Sequence, residues 1–523
     1  MQPRTVLYRG RMDTATSTEI IRLPAHVIVE RLAAGDISAR EVIDAHIGRL
    51  EAIDPHLNAI VAERFVEARR DADAADAHRL SGRPLGALHG LPVTIKDSID
   101  VANMPSTFGL HARRNTIAAS DDVHVARLRA AGAIPIAKSN VAQFLAYFES
   151  DNPLHGRTVN PWNADRTCGG SSGGEAALIA ACGSPLGLGT DIGGSARIPA
   201  NWCGIAGFKP SAGRSPDVGT GSFSPDQTAI RSEVGVLART TADIALGLRV
   251  INGAMPLGDP GSIDIASLRV AVVASDGIIE PTDAARRAVT DAAAHLAAAG
   301  AQVSTWALPD PAEGLRLAFR VLGFDRLAHF RQIAEDGKLD PRVKQMMQLS
   351  NMPRPARRLM ARTLDSIGQH GLAAGLRLLD ISPDGLTNVV AELDRYRQQF
   401  AAALAADRID AIVLPTCPLP AVPHGATKQL ATIGSYTILW NALGYPAGTV
   451  PFTTVRPDET GGRAKRADAV VAAARKSELG SAGLLIGVQI IAPHGQDHRV
   501  LALMESVERA SIRSGQHPGH PTI

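Results

Sequence analysis

Cysteine is scarce. Four residues in 523, Cys168, Cys182, Cys203 and Cys417, form no CxxC pair. That excludes a disulfide framework and the small cross-linked secreted folds, and a reducing compartment, the cytoplasm, is expected. An excess of one charge is also lacking: 54 Lys+Arg stand against 52 Asp+Glu, a net +2. No sequence-wide basic bias draws the chain to nucleic acid or anionic lipid. No stretch reaches the roughly 18 apolar residues that a membrane span needs. The N-terminal MQPRTVLYRGRMDTATSTEIIRL carries no apolar core of a signal peptide. Neither a nucleic-acid partner nor a membrane span is therefore expected. The sixteen histidines include no HExxH and no Cys/His zinc spacing, so no metal is expected. GxxxxGK[ST] and a strand-to-helix GxGxxG are absent as well. Phosphate loops and dinucleotide folds are thereby excluded, and no cofactor is expected.

What is present is a long chain with alternating patterns. The first 80 residues read as helices, with Ser38-Ala39-Arg40-Glu41 a capping box ahead of Val42, Ile43, His46, Ile47 and Leu50 at helical spacing. From Leu91 short apolar runs alternate with helical ones. Val93–Ile95 precedes a helix near Val123–Ala131, then come Ala133–Ala137, a helix over Glu175–Ala181, and Leu186–Gly189. This predicts an α/β fold, a mixed central sheet with helices on both faces. Gly204–Asp264, rich in Gly, Ser and Pro, reads as long surface loops. Leu268–Ala274, Gln302–Trp306, Ala411–Leu414, Ala447–Val450 and Leu484–Ile491 read as strands; Asp283–Ala299 and His498–Ile512 read as helices. Residues 309–408 read as a helical insertion, with Arg354, Arg357, Arg358 and Arg362 on a solvated face, and Arg456–Gly480 as a mobile excursion. With no repeat and no clear linker, the expectation is a single domain over 1–523. Its parts are N-terminal helices (1–80), a core (88–250), the insertion or lid (309–408) and a C-terminal part of the core (410–512).

The chemistry concentrates between Cys168 and Pro210. Gly169-Gly170-Ser171-Ser172-Gly173-Gly174 and Asp191-Ile192-Gly193-Gly194-Ser195 each join glycine to serine. A flexible linker would not run straight into an apolar helix. Glycine lets backbone approach closely, and a run of such residues can aim several N–H groups at one developing oxyanion. A serine nucleophile on such a turn needs a base, and a buried lysine serves once its pKa is lowered. Lys96, after Leu91-Pro92-Val93-Thr94-Ile95, is the candidate. Ser172-Gly173-Gly174-Glu175 reads as a second capping box, which accounts for Ser172 and leaves Ser171 for another role.

GGSSGG followed by GTDIGGSARIPANWCGIAGFKPS resembles the signature of the amidase signature family of serine hydrolases. The resemblance takes in LHGLPVTIKDSID at 88–100, NPLHGRTVNPW at 152–162, SYTILWNALGYPAGTVP at 435–451 and GVQIIAP at 487–493. NPLHGRTVNPW and SYTILWNALGYPAGTVP look most like its fatty acid amide hydrolase branch. The resemblance implies a Ser–cis-Ser–Lys triad: Ser195 as nucleophile, Ser171 as bridging serine after a non-proline cis peptide, and Lys96 as base. It implies backbone N–H groups of Ile192, Gly193, Gly194 and Ser195 as the oxyanion hole. It implies Leu145, 26 residues before Ser171, in the acyl pocket beside Ala146, Tyr147 and Phe148. Thr190 is a further candidate substrate contact, and Pro341–Leu376 a candidate lid. Asp191 and Arg197 are expected to brace the glycine turn, the cysteines to be small buried fillers, and Trp162 and Trp202 to be core. The expected partner is a small amide or related acyl compound, and the resemblance extends to a homodimer. Three activities fit: a stand-alone amidase, a carbamate or ester hydrolase with the same triad, and the glutaminase subunit of a tRNA-dependent amidotransferase.

Overall fold

Short apolar segments separated by helices assemble into one sheet. The computed structural model describes residues 14–216, 227–253, 255–334, 338–378 and 385–523. In chain order the strands begin with β1 (Ile60–Glu63), β2 (Pro92–Lys96) and β3 (Ile134–Ser139). Two small ribbons follow, β4 (Asp151–Asn152) with β5 (Gly156–Arg157), and β6 (Val159–Asn160) with β7 (Asn163–Thr167). Then come β8 (Leu186–Asp191), β9 (Ala206–Lys209), β10 (Glu233–Ala238), β11 (Arg269–Val272) and β12 (Gln302–Thr305). The last are β13 (Ala411–Pro415), β14 (Ala447–Thr454) and β15 (Leu485–Ile491).

Eleven of these strands form a single sheet in the order β1-β3-β2-β8-β10-β9-β14-β15-β13-β11-β12. It is mixed: β2 runs parallel to β3 and β8, whereas β10 is antiparallel to both β8 and β9. β2, β8, β10, β13 and β15 are buried at every position, as strands covered on both faces must be. One continuous core joins Ile43, Leu50, Val93, Ile95, Leu188, Val236 and Val488. The fold is the expected α/β domain.

The N-terminal helices are Thr14–Arg22, Ala25–Ala34, Ala39–Leu57 and Phe65–Leu80; residues 1–13 of that expectation lie outside the described residues. The Ser38 capping box forms, with Glu41 N–H donating to Ser38 Oγ and Ser38 N–H to the Glu41 carboxylate. β1, unforeseen among these helices, adds an antiparallel edge to β3. The insertion between β12 and β13 is helical from Pro311–Leu322 to Gly385–Ala406. Its Leu315, Leu393 and Phe400 build a second core with Tyr436 and Trp440 of the helix Ser435–Ala442.

Three expectations are corrected. Gly204–Asp264 holds β9, β10 and the helix Thr241–Ile251 rather than surface loops; residues 217–226 and 254 lie outside the described residues. Its glycine serves close packing: a Cβ on Gly235 would come 2.2 Å from the Phe208 carbonyl oxygen. Arg456–Gly480 contains the helix Ala469–Glu478, with Asp468 accepting from Val470 and Val471 N–H, and Glu478 pairing with Arg463 at 2.7 Å. Arg357 is buried and donates to the Leu349 and Met352 carbonyls, so the arginine cluster is not wholly a solvated face. The four cysteines are free and buried, and Trp202 is core, its indole donating to the Leu419 carbonyl. Trp162 is half-buried and donates to the Cys203 carbonyl.

Candidate active site

β2 ends at Lys96, and the neighbouring β8 ends at Asp191, so both deliver polar groups to the same end of the sheet. Between them lies the turn that opens the helix Gly173–Ala180, with a cis peptide at Gly170-Ser171. Lys96 Nζ is hydrogen-bonded to Ser171 Oγ and to Thr190 Oγ1, at 2.7 Å each. The amine is fully buried, and desolvation pushes its pKa down to about 7 against the opposing pull of Asp191, Asp97 and Glu175. A lysine at that value is substantially neutral near neutral pH and able to take a proton.

Ser171 and Ser195 come from different elements. They are tied through Ser172, whose N–H donates to the Ser195 carbonyl at 3.1 Å. Ser195 heads the turn into the short helix Arg197–Cys203 and is 5 % exposed, against 1 % for Ser171. The structure thus brings Lys96 and Ser171 into direct contact and sets Ser195 on the adjoining turn.

That turn is braced as expected. Arg197 meets Asp191 through Nη2–Oδ1 at 2.9 Å and Nε–Oδ2 at 3.0 Å, both side chains wholly buried. Burial alone would raise the Asp191 pKa, but the Arg197 guanidinium and its hydrogen bonds hold the carboxyl well below the usual range. Arg197 donates further to Gln489 Oε1 (2.7 Å), Asn441 Oδ1 (2.6 Å) and the Thr437 carbonyl (3.2 Å). Asn441 Nδ2 returns a bond to Asp191 Oδ1. Thr437 Oγ1 donates to the Gly193 carbonyl at 2.7 Å. Gly194, at φ +121°, is where a side chain is forbidden twice over, since a Cβ would also stand 2.2 Å from Thr437 Oγ1.

Three expectations for the site change. Gly194 N–H donates to Asp191 Oδ1 at 2.7 Å and is spent on the brace rather than the oxyanion hole. Among the described residues the N–H groups of Ile192, Gly193 and Ser195 have no protein acceptor. Thr190 is 2 % exposed and its hydroxyl faces Lys96, so it belongs to the lysine's surroundings rather than to a substrate wall. The capping box at Ser172 does not form: Ser172 Oγ donates to the Thr190 carbonyl, and Glu175 is turned inward to accept from Thr94 and Ser139.

Leu145 is buried in the segment Gln143–Leu145, next to Phe144, and both have positive φ. Phe144 stacks on Phe330 of the insertion at 4.2 Å between centroids. Arg342, in the first turn of the helix Pro341–Asn351, lies 4.1 Å over the Tyr147 ring and pairs with Glu149 (3.1 Å) and Asp340 (2.7 Å). Glu149 in turn accepts from Gly425 N–H and from Thr427. Its backbone covers Gly170, where a Cβ would meet Glu149 N at 2.5 Å. The lid candidate is therefore pinned to the segment that carries Leu145 and backs the cis peptide. Sequence reasoning missed Thr190 as the lysine's partner, Asn441 and Gln489 as the brace's far anchors, and the Arg342–Glu149 link. Asn441 and Gln489 do stand inside SYTILWNALGYPAGTVP and GVQIIAP, two of the stretches that carry the resemblance to the family.

The amidase family model matches residues 41–501. The chain belongs to the amidase signature family. It is 30 % identical over 519 residues to fatty acid amide hydrolase 1 of Caenorhabditis elegans, covering 96 % of this chain and 90 % of that one. It is 40 % identical over 295 residues to an indoleacetamide hydrolase of Bradyrhizobium diazoefficiens, about half of each chain (53 % and 55 %). A solved fatty acid amide hydrolase superposes with a TM-score of 0.79 over 95 % of this chain and 87 % of that one; at 23 % identity this likeness speaks for the fold. The amidase is thus a hydrolase of the class that cleaves amide C–N bonds. Among its described residues no helix is long and apolar enough to cross a membrane, and no cluster of His, Cys, Asp and Glu could hold a metal.

Proposed function

We propose that this amidase hydrolyses carboxylic amides with an apolar acyl group, through an acyl-enzyme on Ser195. The observation that carries the reading is the buried, pKa-lowered Lys96 amine 2.7 Å from Ser171 Oγ, on the turn tied to Ser195. Neutral Lys96 takes the Ser171 hydroxyl proton as Ser171 takes that of Ser195. Ser195 Oγ bonds to the carbonyl carbon, and the carbonyl π pair moves to oxygen. Ile192, Gly193 and Ser195 N–H groups receive that oxyanion; one such donor is worth about 3–4 kcal/mol in a transition state. The tetrahedral adduct collapses, its C–N bond breaking as the proton returns from the lysine through Ser171 to nitrogen. Protonation is essential because an amide anion is a poor leaving group. Water then repeats the sequence and frees the acid. Apolar Leu145, Ala146, Tyr147 and Phe148 support the acyl preference, as do the names of the relatives, a fatty acid amide hydrolase and an indoleacetamide hydrolase. Four buried free cysteines support a cytoplasmic site of action.

Intact-mass spectrometry after a serine-reactive fluorophosphonate tests the reading, on wild type and Ser195→Ala, with matched amide, anilide, carbamate and ester substrates alongside. One adduct on wild type, none on Ser195→Ala, and amide turnover lost in step is the expected result. An adduct that survives the substitution overturns the assignment of the nucleophile. Faster turnover of carbamate or ester than of the matched amide, beyond their difference in intrinsic reactivity, overturns the bond class.

A further inference from the structure

One buried acid has no part in the steps above. Glu175 lies in the first turn of the helix Gly173–Ala180, four residues after Ser171, and is wholly inaccessible. Thr94 Oγ1 donates to its Oε1, and Ser139 Oγ donates to its Oε2 at 2.7 Å. Thr94 is two residues before Lys96 on β2 and so shares its face, while Ser139 is the residue of β3 in register with Lys96. The third side of the pocket is glycine by necessity. Gly187 on β8 pairs with Thr94, and a Cβ there would fall 1.8 Å from Glu175 Oε1. Three strands and the helix behind the bridging serine thus build a fitted niche for one carboxyl group beside the lysine.

The other charges near Lys96 are committed elsewhere. Asp191 at the end of β8 is paired with Arg197. Asp97, directly after Lys96, accepts from Thr107 N–H, Thr107 Oγ1 and Phe108 N–H. Lys138 on β3 points to the Pro105 carbonyl and Ser106 Oγ. Among the described residues Glu175 alone of these acids has no cationic partner and no backbone N–H donor. Its electrostatic counterpart is the lysine, and Lys96 and Glu175 each act on the other's ionisation.

We propose that Glu175 is a positioning residue that acts through Lys96, setting the pH at which the lysine becomes the neutral base and fixing the bridging-serine helix to the lysine strand. The inference rests on the reading of Lys96 as the base. Burial pushes the Glu175 pKa up to about 7, level with that of the lysine, so the acid is only part-ionised over the range in which Lys96 titrates. Its ionised fraction favours the charged amine. Removing it lets Lys96 stay neutral at somewhat lower pH, at the cost of a weaker base.

The pH profile of kcat/KM for an amide substrate and the rate of fluorophosphonate labelling, measured on wild type, Glu175→Gln and Ser139→Ala, test this. Glu175→Gln is expected to move the acidic limb of both profiles down by about half a pH unit. Activity at a pH well below the limb, relative to the plateau, then rises about threefold, while the plateau falls severalfold. Ser139→Ala, which removes one of the two donors that stabilise the anion, is expected to shift the limb the same way by less; it stands in should Glu175→Gln fail to fold. A limb that stays in place in the folded variants, or moves up, overturns the inference. Lys96→Ala run alongside separates the two readings. If it remains active, the lysine is not the base and the proposed function fails first. If it is inactive while the limb of Glu175→Gln is unmoved, only the role of Glu175 is refuted.

Discussion

Arg197→Met is the sharpest test of how the glycine turn is held. The substitution keeps much of the side-chain length but leaves Asp191 without its cation in a site closed to bulk solvent, since both side chains are wholly buried. Removing one partner of a buried ion pair costs about 3–5 kcal/mol, because the surviving charge is uncompensated. Asn441 Oδ1 and Gln489 Oε1 lose their guanidinium donors as well, and each buried acceptor left unsatisfied adds about 1–3 kcal/mol unless it rotates to a new partner. A destabilisation of at least about 4 kcal/mol is expected. With a urea m-value near 3 kcal/mol/M, the unfolding midpoint falls by more than about 1 M. The sign with pH follows from the depressed Asp191 pKa. A carboxyl held below its unfolded value contributes stability that is whole above the unfolded pKa, near 3.8, and fades as the pH drops toward the folded one. In the variant burial without Arg197 raises the Asp191 pKa, so the gap between wild type and variant is largest at neutral pH and narrows in acid, starting above about pH 4 as the unpaired carboxylate takes up a proton. Asp191→Asn combined with Arg197→Met removes the orphaned charge and is expected to be more stable than Arg197→Met alone. A midpoint shift below a third of the expected value, or a gap that widens in acid, refutes the account of the turn as an ion-pair brace.

Lys96→Met is expected to abolish amide turnover yet stabilise the fold. A lysine lowered from 10.5 to about 7 penalises the folded state by up to about 4–5 kcal/mol below pH 7. The gain is thus largest in acid and vanishes as the pH approaches 10.5; a stability difference independent of pH between 6 and 10 contradicts it. In wild type the same value predicts that kcat/KM falls tenfold per unit below about pH 7, and a profile flat down to pH 5 is incompatible with a lysine base. Arg342→Ala unpins the helix Pro341–Asn351 from Tyr147 and Glu149. Its expected signature in steady-state kinetics is a several-fold higher KM for amides with large acyl groups and little change for acetyl amides. An equal loss on both substrates places the effect in the catalytic turn instead.

The parts of this molecule that were legible in sequence are those where one residue type has one physical use. β2, β3, β8, β13 and β15 show as short apolar runs because strands covered on both faces have no alternative. Ser171 and Ser195 stand out because a packed core has little use for glycine-serine turns except at a reacting centre, whereas Lys96 was singled out by the resemblance to the family: Lys138 and Lys209 also stand buried at the ends of apolar strands. β10 was hidden: its run Glu233–Ala238 is short, and the Gly-, Ser- and Pro-rich residues on either side read as loop. Glu175 was misread because Ser172-Gly173-Gly174-Glu175 satisfies the capping pattern. The pattern names the residue types but not which way the carboxylate turns, and here Gly187, 12 residues further on, opens the niche that draws it inward. Thr190 and Gly194 failed for a related reason. Whether a hydroxyl meets substrate or lysine, and whether an N–H faces an oxyanion or Asp191, depends on partners that the chain supplies from β2 and from the Asp191 side chain. Local patterns predict which groups are present at the end of the sheet. The assignment of donors to acceptors there is a long-range property, set by Arg197, Asn441 and Gln489 converging from segments nearly 300 residues apart.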